Sequence, residues 1–408
     1  MRTQLEQAKA GRLTPAMRSV ARAEGIEARA LFSSVGRGEV VIMRRGRRAL
    51  GIGKGLRTKV NVNIGTSPLK IDPEEEVEKA ILAENHGADT LSDLSMGGNI
   101  REIRRMIFHA TRLPITTVPM YQAVAEIGLP DLDEDRILGI MKEQAREGVS
   151  SFVVHLAGKR ILAKYRRGRR IMGVVSKGGS LALAWMKLSG RENPFMTCLD
   201  EVLGIARRHD IVLSLGNTMR SGCIHDPMDR AQREEMELNA ELANRAREQG
   251  VQVVIEGMGG HVRADRIAAT VRRYKRASTA PLFVAGPLPT DIAVGHDHIA
   301  GCVGASLAAG AGADYLCYIT PAEHLGLPDA GQVKEGLMAF RIAAHIGDSI
   351  KYGPGPRDRC LAERRAGLDW AGQFSYALDG ETARALAPAE GPCTMCGEYC
   401  AIKMMRGL

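Results

Sequence analysis

Aromatic side chains are scarce in this sequence, at 4% of its 408 residues. Proteins bind single-stranded nucleic acid by stacking bases on aromatic rings, so this class of partner is disfavoured. No stretch approaches the roughly 18 uninterrupted apolar residues of a membrane span. Gln4 and Glu6 fall where a secretory signal would have its apolar core. We therefore expect a cytoplasmic protein that binds neither nucleic acid nor a membrane.

Separate blocks of one charge are also missing, although 56 basic residues outnumber 47 acidic ones and give a formal charge of +9. The dense basic run consists of Arg166, Arg167, Arg169 and Arg170, and we interpret it as a solvated surface. An excess of positive charge also favours anionic small substrates such as phosphates.

Three cysteines, Cys393, Cys396 and Cys400, lie within eight residues near the C-terminus. Thiolates at this density favour a soft metal or an iron–sulfur cluster. A closed zinc site or an ordinary ferredoxin-type site needs four ligands, and this tail offers three cysteines and no histidine. Three thiolates on a 4Fe–4S cluster would leave one iron open for a substrate or cofactor. A zinc ion with one distant ligand, a disulfide and idle thiols are the alternatives.

The other cysteines stand at no metal-binding spacing and are expected to be small buried hydrophobes. They are Cys198, Cys223, Cys302, Cys317 and Cys360. With three of eight cysteines clustered at one end, the pattern differs from a secreted disulfide framework. This pattern also favours a reduced, cytoplasmic protein.

Short β-rich runs alternate with amphipathic stretches from residue 60 onward, which is typical of parallel strands with crossover helices. The predicted strands are residues 60–65, 88–94, 114–119, 151–156, 211–216, 251–257, 282–288 and 315–320. Residues 172–176 are a ninth candidate, and a loop is the alternative there. Eight such units over about 280 residues match the size of a (β/α)8 TIM barrel. A doubly wound sheet is the rival, but the first strand lacks its glycine-rich nucleotide turn.

Segments of different character flank the barrel, which is assigned to residues 51–340. Residues 1–50 are expected to be basic and irregular, with a helix near 15–27 and a strand at 39–43. Residues 341–408 are expected to form a helical appendage that ends in the cysteine tail. Its helices are predicted at 329–352, 357–366 and 379–386, and residues 387–392 form a flexible tether.

Polar side chains stand where the predicted strands end, and in TIM barrels these ends hold the active site. They are Asn63, Ser92, Asp93, Tyr121, His155, Asn217, Arg220, Glu256, His261, Glu323 and His324. One such residue is most often a cap or a packing residue. Their recurrence at seven strand ends in register indicates that the barrel is an enzyme.

Two of these regions indicate a specific ligand. Ser176, Lys177 and Gly178 place small residues and a lysine at a helix start, which suits a phosphate; a plain glycine turn is the alternative. His261 and His324 offer two imidazoles from neighbouring strand ends, which suits a divalent metal such as zinc. Two unrelated histidines are the alternative.

Several short sequence segments also match those of a known protein family. They include residues 53–61, 93–95, 117–119, 121–122, 286–288, 290–292, 297–299, 320–321, 323–328 and 334–336. From about Thr3 to Met405 the chain resembles the phosphomethylpyrimidine synthase family of thiamine biosynthesis. These proteins are radical S-adenosylmethionine enzymes with the cluster motif at the C-terminus.

The resemblance implies a (β/α)8 barrel homodimer in which the C-terminal cluster domain reaches the partner's barrel. It implies 5-aminoimidazole ribotide as substrate, a 4Fe–4S cluster on Cys393, Cys396 and Cys400, and S-adenosylmethionine bound at the open iron. It also implies a divalent metal, zinc, on His261 and His324, and an electron donor such as flavodoxin or ferredoxin.

Matching positions assign the substrate pocket. Asn63, Tyr121, His155, Ser176, Gly178, Arg220 and Glu256 are expected around the ribotide, together with Ser92, Lys177, Asn217 and Phe283. Among these, Glu256, Tyr121 and Asn217 are the candidate catalytic residues.

Four of the pocket positions depart from the thiamine enzymes. Ser92 stands where they carry methionine, Lys177 where they carry arginine, Asn217 where they carry aspartate, and Phe283 where they carry tyrosine. Residues 256–261 also gain one position, and the third cysteine spacing is one residue shorter. Because these changes fall on pocket positions, we expect the same ribotide to follow a different radical rearrangement. The paralogous activity of this kind makes 5-hydroxybenzimidazole for cobamides, and a divergent pyrimidine synthase is the alternative.

A hypothesis of another class is a zinc-containing nucleic-acid or partner-binding module on an inactive barrel. It predicts zinc in place of iron and sulfide, and a colourless protein prepared without air. This hypothesis does not explain why polar residues recur at the ends of the predicted strands.

Overall fold

The computed structural model describes residues 2–165, 169–226, 228–388 and 393–406. The chain divides into two compact units, Met1–Gly347 and Asp348–Leu408. Arg166 and Arg167 of the basic run, and most of the predicted tether, lie outside the described residues. Within the described ranges, no helix is both long and apolar enough to cross a bilayer.

The N-terminal segment is regular, so the prediction of an irregular segment was wrong. It contains the helices α1 (Gln4–Lys9), α2 (Pro15–Glu24) and α3 (Ala28–Gly36) and the antiparallel strands β1 (Val40–Arg45) and β2 (Arg48–Gly53). Side-chain caps explain where two of the helices begin, because Thr3 and Thr14 accept the backbone N–H groups of Glu6 and Met17.

The β1–β2 hairpin packs beneath the barrel at the end where the strands begin. Val41 and Ile52 of the hairpin share an apolar cluster with Val212 and Val254 of the barrel. Gln252 fixes the contact with two hydrogen bonds, because its Oε1 accepts from Ile42 N at 2.7 Å and its Nε2 donates to Ile42 O at 3.1 Å. The segment therefore closes the amino end of the barrel.

Eight parallel strands form a closed ring, which confirms the predicted TIM barrel. They are β3 (Lys59–Ile64), β4 (Thr90–Asp93), β5 (Ile115–Thr117), β6 (Ser151–Val154), β7 (Val212–Leu215), β8 (Val253–Glu256), β9 (Leu282–Ala285) and β10 (Tyr315–Cys317). β10 pairs with β3 and closes the ring. Residues 172–176 form no strand, so the loop alternative is correct there.

Helices surround the ring and connect its strands. They are α4 (Pro73–Asn85), α5 (Ile100–Ala110), α6 (Pro119–Ile127), α7 (Glu134–Glu147), α8 (Lys159–Leu162), α9 (Lys177–Ser189), α10 (Pro194–Thr197), α11 (Leu199–His209), α12 (Arg230–Glu248), α13 (Ala264–Ala277) and α14 (Asp297–Gly310). Asp72 and Asp229 cap α4 and α12, where their carboxylates accept the N–H groups of Glu75 and Gln232.

The predicted long helix after the barrel is α15 (Ala330–Tyr352). The second unit contains α16 (Pro356–Ala366), α17 (Trp370–Tyr376), α18 (Gly380–Leu386), a 3-10 turn at Gly397–Tyr399 and α19 (Ala401–Met405). Sequence patterns indicated α16 and α18 and missed α17.

Candidate active site

A cavity of about 390 Å³ lies at the carboxyl ends of the barrel strands. This volume suits a small molecule. Of the barrel residues predicted to contact ligands, all but Gly178 line it. They are Asn63, Ser92, Tyr121, His155, Ser176, Lys177, Asn217, Arg220, Glu256, His261, Phe283 and His324.

Ser176 and His155 form one wall of the cavity. Ser176 caps α9, since its Oγ accepts the N–H of Gly179 at 3.2 Å, and the same oxygen lies 3.0 Å from His155 Nε2. Burial, aided by the charge of Arg220, lowers the pKa of His155 to about 3. The imidazole is therefore neutral at physiological pH and acts as a hydrogen-bonding group without charge.

Gly178 lies behind this wall. A Cβ atom at Gly178 would be 2.5 Å from Cε1 of His155. The absence of a side chain therefore lets the imidazole pack directly on the first turn of α9. The structure thus assigns Gly178 a place against His155 and outside the cavity lining.

Two cations face the cavity. Within the described residues, neither the Lys177 ammonium nor the Arg220 guanidinium forms a salt bridge within 4.0 Å, although the charge of Glu323 acts on Lys177 and that of Arg220 acts on Glu256. Lys177 Nζ lies 4.6 Å from the centre of the Tyr121 ring, and burial lowers its pKa. The Arg220 side chain passes Gly259 and Gly260, where a Cβ would be 3.3 and 3.7 Å from its Cδ. Two unpaired cations beside a helix N-terminus suit a phosphate.

Glu256 ends β8 with its carboxyl in the cavity wall. Its Oε1 accepts a hydrogen bond of 2.8 Å from Ser214 Oγ, and burial raises its pKa. Burial also raises the pKa of Tyr121, which therefore remains protonated. A buried carboxyl with a raised pKa is suited to take up and release a proton during a reaction.

Asn63 and Ser92 belong to one hydrogen-bonded group with Asn61. Asn61 Nδ2 donates to Asn63 Oδ1 at 2.8 Å, and Ser92 Oγ donates to Asn61 Oδ1 at 3.0 Å. Asn63 Nδ2 in turn donates to Cys317 Sγ at 3.1 Å. Cys317 lines the cavity, and burial raises the pKa of its thiol to about 12.

The cavity position of Cys317 was missed by the sequence analysis, which treated it as a buried hydrophobe. Its place at the end of β10, in register with Asn61 of β3, was the signal that could have found it. The thiol is a polar wall group beside Asn63.

Phe283 and Asn217 complete the wall. The Phe283 ring stacks on Tyr315 with centroids 4.0 Å apart and presents no hydroxyl. Asn217 begins a loop whose next two N–H groups, those of Thr218 and Met219, both donate to Glu235 at 2.8 Å. Glu235 of α12 thereby fixes the loop that carries Asn217.

His261 and His324 come from the loops after β8 and β10, which flank β9 and are not neighbours. The prediction of neighbouring strand ends was wrong, yet the two ring centroids lie 5.3 Å apart. His261 Nδ1 lies 2.6 Å from Asp291 Oδ1, and His324 Nδ1 lies 3.3 Å from Asp297 Oδ2.

This arrangement fits a metal ligand pair. Carboxylates on both Nδ1 atoms fix the rings, and no described residue hydrogen-bonds to either Nε2, which is the usual surrounding of a metal-binding histidine. In the described parts of the chain, no three His, Cys, Asp or Glu side chains converge closely enough to hold an ion by themselves. A metal at His261 and His324 would therefore take its other ligands from water or substrate.

The tail cysteines are free thiols on a tight turn. Cys396 is exposed, and Cys393 and Cys400 are half-buried. Gly397 reverses the chain at a φ of 53° and donates its N–H to Cys393 O at 2.9 Å. The donor set of three accessible thiols within eight residues suits an iron–sulfur cluster.

The sequence profile of the Radical SAM ThiC family matches residues 3–407. The chain belongs to the Radical SAM ThiC family. It is therefore a radical S-adenosylmethionine enzyme, and membership implies a 4Fe–4S cluster and S-adenosylmethionine. The three tail cysteines are the residues that would hold the cluster in this ThiC-family enzyme.

Its relatives carry two different names at nearly equal similarity. Phosphomethylpyrimidine synthase of Methanopyrus kandleri is 45% identical over 96% of this chain and 95% of its own length. 5-Hydroxybenzimidazole synthase of Geobacter sulfurreducens is 44% identical over 98% and 96%. Phosphomethylpyrimidine synthase of Dehalococcoides mccartyi strain BAV1 is 44% identical over 98% and 97%. Identity alone therefore leaves the reaction open.

Proposed function

We propose that this ThiC-family enzyme converts 5-aminoimidazole ribotide into 5-hydroxybenzimidazole. The proposal rests on where the structure positions the four residues that differ from those of the thiamine enzymes. Ser92, Lys177, Asn217 and Phe283 all line one cavity. Changes of these wall residues alter how a bound intermediate is held, while the three tail cysteines and the two positive charges of Lys177 and Arg220 are kept.

Each departure changes a specific interaction. Lysine in place of arginine replaces a two-pronged donor with a point charge. Asparagine at position 217 removes a carboxylate that could accept a proton, and phenylalanine at 283 removes a hydroxyl that could donate or order water. Serine at position 92 exchanges a flexible apolar side chain for a hydroxyl that here donates to Asn61.

The remaining wall residues supply binding and proton transfer in this proposal. Lys177, Arg220 and the first turn of α9 would hold the ribotide phosphate. Ser176 and neutral His155 would orient the sugar, and Glu256 would exchange a proton with the substrate. Cys393, Cys396 and Cys400 would hold a cluster that, with S-adenosylmethionine and an external electron donor, would supply the 5′-deoxyadenosyl radical.

A second candidate function is phosphomethylpyrimidine synthesis. The observation in its favour is the name carried by several relatives at the same identity. It would use the same ribotide and the same radical initiator, so the two candidates differ in the product alone.

Product analysis tests the proposal. Protein reconstituted with iron and sulfide under anaerobic conditions is reduced and incubated with aminoimidazole ribotide and S-adenosylmethionine. We expect fluorescent 5-hydroxybenzimidazole with the mass of the authentic compound. Hydroxymethylpyrimidine phosphate as the main product would establish the second candidate. A Cys396→Ala variant, prepared in parallel, controls for products formed without the cluster.

A further inference from the structure

The segment formed by residues 169–175, here termed the strap, precedes Ser176 and borders the cavity. Met172 and Val175 of the strap line the cavity wall. None of the residues assigned to the ribotide lies within the strap. Its contacts nevertheless join the helix start at Ser176 to the loop that carries Asn217 and Arg220.

Arg170 makes these contacts with a buried guanidinium, whose side chain is 1% exposed, so the interpretation of the basic run as a solvated surface was wrong for this residue. Nε and Nη2 donate to the two oxygens of Asp229 at 2.8 Å each, so the pair is bidentate. Nη2 also donates to Met219 O at 2.9 Å, and Nη1 donates to Gly173 O at 3.2 Å. One side chain thus binds α12, the Asn217 loop and the strap itself.

A second carboxylate holds the strap backbone. Asp226, which is buried, accepts the N–H of Ile171 at 2.7 Å and the N–H of Met172 at 3.0 Å. Close packing accompanies these bonds, because a Cβ on Gly222 would be 2.5 Å from both Met172 Cβ and Val175 Cγ1. The strap and the loop therefore fit together with no room for an added methyl group.

We propose that Arg170 is a positioning residue that sets the distance between the two halves of the phosphate-binding wall. Ser176 and Lys177 follow directly from the strap, and Arg220 follows directly from Met219, whose carbonyl Arg170 binds. Arg170 would thereby hold Lys177 and Arg220 at the spacing that one phosphate group requires. This role rests on the proposed ribotide site but is independent of which product is formed.

Four variants test the role. Arg170→Met removes the guanidinium, and Arg170→Lys keeps the charge but loses the bidentate geometry. Asp229→Asn removes the ion pair while keeping a residue that caps helices well. Lys59→Met is the matched control, since Lys59 is a fully buried cation paired with Glu24 at the opposite end of the barrel.

Kinetics with aminoimidazole ribotide separate positioning from general destabilisation. We expect Arg170→Met and Asp229→Asn to raise KM by about 10- to 100-fold, because misplaced binding groups lose affinity steeply. The value of kcat should change by no more than about threefold, as expected when binding is lost without loss of the chemical step. Arg170→Lys should fall between wild type and Arg170→Met, and Lys59→Met should keep the wild-type KM.

Amide hydrogen exchange tests the same role without substrate. Arg170→Met should speed exchange in peptides covering residues 169–176 and 217–222, and Lys59→Met should not. Wild-type exchange in both peptides of Arg170→Met, or a wild-type KM in that variant, would overturn the proposal. Failure of the wild type to bind ribose 5-phosphate in calorimetry would instead reject the ribotide site, while the exchange result would still decide whether Arg170 fixes the strap.

Discussion

The hydroxyl of Ser176 lies 3.0 Å from Nε2 of His155, which ties the start of α9 to the residue that follows β6. The same hydroxyl caps the helix, so one side chain orients both the first-turn amides and the imidazole. Gly178 allows this contact because any side chain there would collide with the ring. The wall that we propose to bind phosphate therefore includes a neutral histidine.

Because burial keeps His155 unprotonated in the folded protein, the stability of the protein should depend on pH. The folded protein keeps the imidazole neutral down to a pKa of about 3, whereas the unfolded chain takes up a proton near 6.5. The unfolded state binds more protons between these values, so the free energy of unfolding should fall as pH falls from 6.5. The slope from this residue is at most about 1.4 kcal/mol per pH unit.

Chemical denaturation at several pH values measures this effect. His155→Gln should flatten the pH dependence between pH 6.5 and 4, and Ser176→Ala, which keeps the buried histidine, should retain it. Equal slopes for wild type and His155→Gln would show that another group is responsible.

If Lys177 and Arg220 hold the phosphate, the affinity for a phosphorylated sugar should depend on both side chains. Replacing either with methionine should weaken binding of ribose 5-phosphate by about 10- to 100-fold, since hydrogen bonds to charged groups contribute roughly 1.5–3 kcal/mol. Lys177→Arg should keep the affinity because the charge remains. Calorimetry with ribose as the neutral control checks this, and unchanged affinity in both methionine variants would place the phosphate elsewhere.

The barrel was predictable because its strands are buried on both faces and therefore appear as short apolar runs separated by amphipathic helices. The same logic placed Asn63, His155 and Glu256 at one end of the ring. The strands β1 and β2 were harder to predict in full, because a hairpin that packs beneath a barrel shows neither helical period nor crossover spacing.

Contacts between segments that are far apart along the chain could not be predicted from the sequence. Asp291 and Asp297 reach His261 and His324 from other parts of the chain, and nothing in their spacing indicates those pairs. Cys317 is buried, as its residue type indicated, but the register of β10 with β3 also brings it to the cavity wall, which the sequence did not show. Such assignments depend on how the strands align in three dimensions.

If His261 and His324 bind a metal, the affinity for that metal should depend on the carboxylates that contact their Nδ1 atoms. His261→Ala and His324→Ala should each abolish binding of one zinc equivalent to protein without a cluster. Asp291→Asn should weaken binding by about 10- to 100-fold, because the partner of Nδ1 orients the ring. Titration with zinc measures the affinity, and His109→Ala, an exposed histidine on α5, is the control. Full zinc binding by His261→Ala would rule out this site.

The tail cysteines predict the iron content. Alanine at Cys393, Cys396 or Cys400 should remove iron, sulfide and the brown colour of the reconstituted protein. Cys360→Ala, which removes a half-buried free thiol outside the motif, should keep them. Zinc without sulfide in the wild-type protein would favour the zinc-module hypothesis.

If the cavity wall selects the product, replacing wall residues should change the products formed from aminoimidazole ribotide. Mass spectrometry should find 5-hydroxybenzimidazole from the wild type. It should find a loss of that product when Ser92→Met, Asn217→Asp and Phe283→Tyr are combined, while cleavage of S-adenosylmethionine continues. Pyrimidine phosphate from the wild type would reject the proposed reaction, and unchanged 5-hydroxybenzimidazole from the triple variant would show that these wall residues do not select the product.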